Sequence, residues 1–169
     1  MNLSIPSYFD YKKEDFTLTT AKIVYASMTG NNEEVASIID EKLQDMGIQT
    51  DMSDITFSDV NEFSEYDIAF MVPYSYGEGE LPDEALDFYE DLLEIDLTDK
   101  IFAVAGSGDV FYEDAYCITV DDFTKAFLKI GGIQAAESLK INLAPDLEDI
   151  ENIEQFTEKA VNFYEANHK

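Results

Sequence analysis

The chain has 169 residues, 46% of them hydrophobic, which is enough for one full hydrophobic core and predicts a single folded domain. Its 37 acidic residues outnumber 10 basic ones and give a net charge of −27. This charge argues against binding to nucleic acid or to anionic membranes, because both use Lys and Arg contacts to phosphate. With one cysteine and one histidine, the chain also offers no internal disulfide, no cysteine-based metal site and no basis for a histidine-dependent catalytic triad.

The first twenty residues differ from the rest of the chain. Pro6 and the pair Lys12-Lys13 interrupt an aromatic-containing stretch without a clear period. Residues 1–20 are therefore predicted to be an N-terminal extension, flexible or loosely docked, ahead of a domain at residues 21–169. The stretch lacks the charged-then-apolar order of a signal peptide, and no later segment has about eighteen uninterrupted apolar residues. A soluble, cytoplasmic protein without membrane insertion is expected.

From Ala21 onwards, short apolar runs alternate with segments of helical period. Val35, Ile39 and Leu43 recur at helical spacing, and Gly47 follows as a C-cap. Similar stripes lie at residues 85–92, 123–130 and 150–164, whereas no long helix is predicted between residues 54 and 67. The predicted strands are Ala21–Ala26, Ile48–Asp54, Asp67–Val72, Lys100–Ala105 and Gln134–Leu143. This alternation predicts a three-layer, doubly wound α/β fold whose ligands bind beyond the C-terminal ends of the strands.

The loop after strand one, residues 27–32 ("SMTGNN"), is suited to a phosphate although it contains no Lys or Arg. Gly30 allows the backbone to turn its N–H groups inward, and the N-terminus of a predicted helix follows. Such N–H groups, together with hydroxyl and amide side chains, bind phosphate without a cation. An ordinary turn with a helix N-cap is the alternative, since Ser, Thr and Asn are common there. The loop matches neither a Walker motif nor GxGxxG, which disfavours nucleoside triphosphates and dinucleotides.

The loops after strands three and four combine aromatic residues with glycines. Residues 74–83 ("YSYGEGELPD") follow strand three, and residues 106–112 ("GSGDVFY") follow strand four. A flat conjugated ring can stack on a tyrosine while glycine allows the backbone to approach closely. The first of these loops, taken alone, is better explained by tyrosines of the core. Together, at adjacent strand ends, the two loops predict a slot for a flat ring with a phosphate at its third corner.

The three motifs "SMTGNN", "YSYGEGELPDE" and "GSGDVFYEDAYC" occur in the order and spacing found in flavodoxins, and the chain resembles a flavodoxin from residue 21 to about 167. The run "QAAESLKINLAP" has no long insertion, so the chain is similar to the short-chain type. The resemblance implies a five-stranded parallel sheet of order 2-1-3-4-5 and non-covalently bound FMN. It implies a monomeric, low-potential one-electron carrier, not an enzyme, that shuttles between the semiquinone and hydroquinone states.

The resemblance also implies a set of cofactor-binding residues. Tyr76 and Tyr112 would flank the two faces of the isoalloxazine ring, and Gly77 would present its carbonyl to the flavin N5. The FMN phosphate would be held by Ser27, Met28, Thr29, Gly30, Asn31 and Asn32, and the remaining edge would be lined by Tyr74, Ser75, Glu78, Ser107, Gly108 and Asp109.

Two residues depart from the family pattern. Asn32 stands where the phosphate loop usually closes with threonine, so an amide donor replaces a hydroxyl. Tyr76 stands where the inner stacking residue is often tryptophan, which leaves open whether Tyr74 or Tyr76 stacks on the ring. Cys117 is interpreted as a small buried residue, with a position beside the flavin as the alternative.

Acidic residues crowd the two ring loops. A solvated surface explains any one of them, but the cluster predicts docking of basic-surfaced redox proteins, such as a flavodoxin or ferredoxin reductase and an electron-accepting enzyme. At about 10 Å in a water-like dielectric each would oppose an anionic ring by roughly 0.4 kcal/mol, which predicts a strongly negative second couple. The acids are Glu78, Glu80, Asp83, Glu84, Asp87, Glu90, Asp91, Glu94 and Asp96, with Asp109, Glu113 and Asp114 after strand four.

Three other functions compete with an electron carrier. A phosphoacceptor receiver domain shares the strand order but needs an acidic pair after strand one and an Asp after strand three, where this chain has Ser27-Met28 and Tyr74-Ser75. A flavodoxin-like FMN or quinone reductase and a ribonucleotide-reductase-activating flavoprotein are closer alternatives. The intact run "YGEGELPDE" favours the carrier.

Overall fold

The computed structural model describes residues 17–75 and 77–168, so most of the predicted extension, residues 1–16, lies outside the described residues. Strands and helices alternate along the chain, with short 3-10 segments at Ile55–Phe57, Val60–Glu65 and Val110–Ala115. The strands are β1 (Thr20–Tyr25), β2 (Gln49–Asp54), β3 (Ile68–Val72), β4 (Ile101–Gly108), β5 (Ile133–Gln134) and β6 (Leu139–Asn142). The helices are α1 (Asn31–Asp45), α2 (Asp83–Leu93), α3 (Ile118–Lys129) and α4 (Leu147–Asn167).

The strands form one parallel sheet of order β2-β1-β3-β4-β5, with β6 also paired to β4. The predicted strand order and doubly wound α/β class are confirmed. The prediction of one continuous strand over Gln134–Leu143 is wrong, because β5 pairs with the start of β4 and β6 with its end. Between β5 and β6, the Ser138 hydroxyl is hydrogen bonded to Thr124 Oγ1 of α3 at 2.8 Å. Gln134 Nε2 donates to the same Ser138 hydroxyl at 3.1 Å. These side-chain contacts replace the ladder where the strand is interrupted.

The apolar core lies on both faces of the sheet. On one face Ile23 and Phe70 pack against α1 and α4, and on the other Met71 and Phe102 pack against α2 and α3. All five residues of β3 are buried, which explains why its sequence is a continuous apolar run rather than an alternating one. Between residues 54 and 67 the chain forms two short 3-10 segments, as the absence of a helical period there predicts.

A buried lysine fastens the 3-10 segment Val60–Glu65 to the sheet. Lys22 of β1 is only 2% exposed, and its ammonium lies 3.0 Å from Asp51 Oδ2 and also contacts Glu62. The Tyr66 hydroxyl donates to the same Asp51 oxygen at 2.7 Å. Burial lowers the pKa of Lys22, but the hydrogen bonds to Glu62 and Asp51 outweigh it and raise the pKa overall. The lysine is therefore charged and joins three segments of the chain.

Candidate functional site

The three predicted loops meet around one cleft of about 340 Å³ at the C-terminal ends of β1, β3 and β4. This is where ligands bind in doubly wound folds, because the loops there diverge at a change of strand order. The cleft is lined by the predicted residues Thr29, Asn31, Asn32, Tyr74, Ser75, Gly77, Ser107, Gly108, Asp109 and Tyr112, and by Ala115, Cys117 and Leu143.

Four of the predicted site residues that the structure describes do not line this cleft. Ser27 and Met28 border a neighbouring depression of about 220 Å³, which shares Tyr74 with the cleft. Glu78 borders another depression, which shares Tyr112 with the cleft. The fourth is Gly30, at the turn into α1. The prediction for Tyr76 falls on a residue outside the described ones.

The N-terminus of α1 forms one end of the cleft. Gly30 has a φ of 90°, a conformation that suits glycine, and its N–H donates to Ser27 Oγ at 3.0 Å. The first N–H groups of any helix lack an intrahelical acceptor and carry partial positive charge, so they favour an anion. Thr29 and Asn31 add a hydroxyl and an amide beside them. No Lys or Arg occurs among the described residues that line the cleft.

The side chain of Asn32 faces the floor of the cleft. Its Oδ1 accepts from the Ser107 N–H at 2.7 Å, and its Nδ2 donates to the Ser107 carbonyl at 3.3 Å. The Ser107 hydroxyl in turn donates to the Leu143 carbonyl at 2.5 Å. The resemblance to flavodoxins assigns the Asn32 amide to the phosphate. In the structure this amide is hydrogen bonded to Ser107, near the end of β4.

The glycines at the end of β4 are required by packing. A Cβ on Gly108 would lie 2.9 Å from Cys117 Sγ and 3.0 Å from Cys117 N, and a Cβ on Gly106 would lie 2.8 Å from the Pro73 carbonyl oxygen. Cys117 itself is buried, and this burial raises the pKa of its thiol to about 11. It also lines the cleft, and its position beside a flavin stays a prediction.

Aromatic residues form the opposite end of the cleft. Tyr112 is exposed and contacts Phe111 edge to face, with ring centroids 5.5 Å apart. Tyr74 is half-buried against the α2 and α3 side of the core. Ser75, next to it, is held by a 2.7 Å hydrogen bond between its hydroxyl and that of Thr119. Whether Tyr74 or Tyr76 stacks on a ring stays a prediction, since Tyr76 is not described.

This arrangement fits FMN, because neutral donors at a helix N-terminus suit its phosphate and the aromatic end suits its flat ring. The flavodoxin family model matches residues 23–156. The chain belongs to the flavodoxin family. It is 38% identical over 135 residues to "Probable flavodoxin 2" of Bacillus subtilis (strain 168), an alignment that covers 79% of this chain and 89% of that relative.

Two solved flavodoxin structures resemble this flavodoxin closely. One is a short-chain flavodoxin associated with a non-canonical PDU bacterial microcompartment, with a TM-score of 0.85 and 46% identity over 87% of this chain and 99% of that one. The other is the flavodoxin of Streptococcus pneumonia TIGR4, with a TM-score of 0.82 and 48% identity over 85% and 99% of the two chains. Flavodoxins are FMN-binding electron-transfer proteins rather than enzymes, so this flavodoxin is an FMN-dependent electron carrier. The reductase, ribonucleotide-reductase-activating and receiver alternatives are not better supported.

A larger groove of about 510 Å³ lies elsewhere on the flavodoxin, between the 3-10 segments and α2. Its lining includes no residue of the three loops, and it carries the carboxylates of Asp59, Glu84, Asp87, Asp91 and Glu94. So many carboxylates disfavour an anionic cofactor. Along the described part of the flavodoxin, no helix combines the length and the apolar character needed to cross a bilayer.

The sequence did not identify Ala115 and Leu143 as residues of the cleft. Leu143 reaches it because β6 pairs with the last four residues of β4, and the Leu143 N–H donates to the Gly108 carbonyl at 2.8 Å. A split last strand is needed for this contact, and no residue pattern in the sequence marks the split. Ala115 enters through the 3-10 segment after β4.

Proposed function

We propose that the cleft holds FMN with its phosphate at the N-terminus of α1 and its ring between the loops after β3 and β4. The convergence of neutral donors and exposed aromatic residues at one edge of the sheet carries this proposal. Backbone N–H groups with Ser27, Thr29 and Asn31 would hold the phosphate, and Tyr112 with Tyr76 would flank the ring. The remaining predicted residues would surround these contacts: Met28, Gly30, Asn32, Tyr74, Ser75, Gly77, Glu78, Ser107, Gly108 and Asp109.

FMN, when bound, supplies one-electron redox chemistry, and the chain tunes it through backbone freedom and charge. Gly77 has a φ of 49°, and among the described residues other than its chain neighbours no atom lies within 4 Å of the position a Cβ would occupy. Because glycine has no Cβ, reorientation of its peptide has a low steric cost. Asp109 lines the cleft, and Glu78, Glu113 and Asp114 border the adjoining depression. These carboxylates oppose any reduction that adds negative charge to the ring, which supports a low potential for the second electron.

We also propose that this flavodoxin works as a monomer in the cytoplasm and passes electrons between basic-surfaced proteins, among them a flavodoxin or ferredoxin reductase. An apolar rim borders the cleft on the β4 side, formed by Val110, Phe111 and Leu143. Phe111 is 80% exposed and sits beside Glu113 and Asp114. A partner with an apolar contact surface ringed by Lys and Arg complements such a rim, since charge guides encounter and buried aromatics hold the complex.

Anaerobic reductive titration of the FMN-loaded protein tests the carrier function. We expect two separate one-electron steps and no consumption of NAD(P)H by the protein alone. A single two-electron step, or rapid NAD(P)H oxidation, would favour a reductase.

Electron transfer to horse-heart cytochrome c, a basic haem protein, tests the docking surface. We expect a rate that falls as salt is raised, because salt screens the attraction. Phe111→Ser should slow the transfer, whereas the matched control Leu128→Ser, at an α3 residue that is 49% exposed, should not. Equal rates for both variants and the parent protein would refute a docking role for the rim.

A further inference from the structure

Asn32 is a buried polar side chain at the meeting point of two functional loops. It is 1% exposed, although it belongs to the first turn of α1 and lines the cleft. Both polar atoms of its amide pair with one residue, Ser107, 75 positions further along the chain. A side chain that satisfies an N–H and a carbonyl of the same residue acts as a short piece of neighbouring strand.

The end of β4 needs such a partner. The last pair between β3 and β4 in the described sheet is Met71 with Val104, so β4 runs four residues beyond its pairing with β3. On its other side, the end of β4 pairs with β6, and Ser107 is opposite Ile141. Buried backbone N–H and carbonyl groups destabilise the fold when they have no partner. Asn32 supplies that partner on the side that β3 does not reach.

The hydrogen bonds between Asn32 and Ser107 join the phosphate-side helix to the ring-side loop of the proposed FMN site. Asn32 is on the helix that would receive the phosphate, and Ser107 is directly followed by Gly108 and Asp109 in the loop that carries Tyr112. The Ser107 hydroxyl extends the connection to Leu143. The position of the ring-side loop therefore depends on a residue of the phosphate-side helix.

We propose that Asn32 is a positioning residue, which fastens the ring-side loop to the N-terminus of α1 and does not serve as a donor to the phosphate. This inference rests on the proposed FMN site. It predicts that loss of the Asn32 amide weakens binding of the flavin ring, whether or not the ligand carries a phosphate.

Binding of FMN and of riboflavin, which lacks the phosphate, separates the two roles. Dissociation constants of both flavins are measured by fluorescence quenching for the parent protein, Asn32→Ala and Asn31→Ala. For Asn32→Ala we expect both constants to rise by a similar factor, about tenfold, as expected for a lost buried hydrogen-bonded pair. For Asn31→Ala, the matched control with the same side chain one position earlier, we expect weaker binding of FMN and unchanged binding of riboflavin.

A loss confined to FMN in Asn32→Ala would assign the amide to the phosphate and overturn the proposal. If the parent protein bound neither flavin, the FMN site itself would be wrong, which is a separate result. Hydrogen exchange of the Ser107 amide, followed by NMR in the protein without flavin, gives a readout that does not depend on binding. We expect a protected amide in the parent and fast exchange in Asn32→Ala; equal protection would also overturn the proposal.

A conservative variant keeps the test decisive if Asn32→Ala does not fold. Asn32→Asp keeps the acceptor for the Ser107 N–H and loses the donor to the Ser107 carbonyl. We expect it to retain protection of the Ser107 amide and to weaken riboflavin by a smaller factor than Asn32→Ala does, whereas FMN is weakened further because the added carboxylate repels the phosphate. Unchanged binding of riboflavin in this variant would contradict the positioning role.

Discussion

Substitution of Gly108 by alanine should destabilise the floor of the cleft. No positive φ is recorded at Gly108, so alanine meets no backbone strain there, and the lower entropy of the unfolded chain favours the variant by about 0.5 kcal/mol. The new Cβ, however, would lie 2.9 Å from Cys117 Sγ and 3.0 Å from Cys117 N. Overpacking of this kind costs about 1–3 kcal/mol. We therefore expect Gly108→Ala to lower the free energy of unfolding by about 1–2 kcal/mol, measured by urea denaturation.

The double variant Gly108→Ala/Cys117→Ala tests the cause of this effect. Removal of Sγ relieves one of the two short contacts, while the contact with the backbone nitrogen of Cys117 remains. We expect the two substitutions to be coupled by about 1 kcal/mol, so that the double variant is more stable than the sum of the single variants predicts. Full stability of Gly108→Ala, or strict additivity, would refute the conclusion that packing against Cys117 requires glycine.

Other predictions concern the buried charges and the thiol. Lys22→Met leaves the carboxylates of Asp51 and Glu62 without a cation and should lower the free energy of unfolding by about 3 kcal/mol. This is the low end of the cost of breaking a buried ion pair, because both carboxylates are partly exposed. An unchanged urea midpoint would contradict this prediction. The pKa of Asp51 is lowered chiefly by the hydroxyl of Tyr66, so its stabilisation is present above the unfolded pKa near 4 and is lost as pH falls through the lower folded value. Asp51→Asn should therefore flatten the dependence of unfolding free energy on pH below about pH 4, and an unaltered slope would count against the contact. Burial raises the pKa of Cys117 to about 11. A thiol reagent at pH 8 should therefore modify the native protein at least about a hundredfold more slowly than the urea-unfolded protein. Equal rates would show that the thiol is accessible.

The residue pattern predicted the doubly wound class and the edge of the sheet that carries the cleft, and the resemblance to flavodoxins implied the strand order. Continuous apolar runs such as Ile68–Val72 mark strands buried on both faces, and helical stripes mark the crossovers between them. In a doubly wound sheet, that order alone places the loops after β1, β3 and β4 at one edge. Most predicted residues consequently line one cleft.

Tertiary contacts decided what the sequence did not predict. At the split between β5 and β6, Ser138 is hydrogen bonded to Thr124 of α3, and the need for glycine at residue 108 comes from the position of Cys117. The partner of Asn32 is 75 residues away, so no local pattern in the sequence indicated its hydrogen bonds with Ser107. Side chains that bond across the sheet are specified by the whole fold rather than by their neighbours in sequence.

Amide NMR of the protein without flavin, titrated with FMN, tests the proposed location of the cofactor most directly. We predict that the largest chemical-shift changes occur in the amides of residues 29–32 and 107–112, in two of the loops that line the cleft. The amides that line the larger groove beside α2, such as those of Phe88 and Asp91, should change little. Changes concentrated in that groove, or a spectrum unaltered by excess FMN, would contradict the assignment of the cleft as the flavin site.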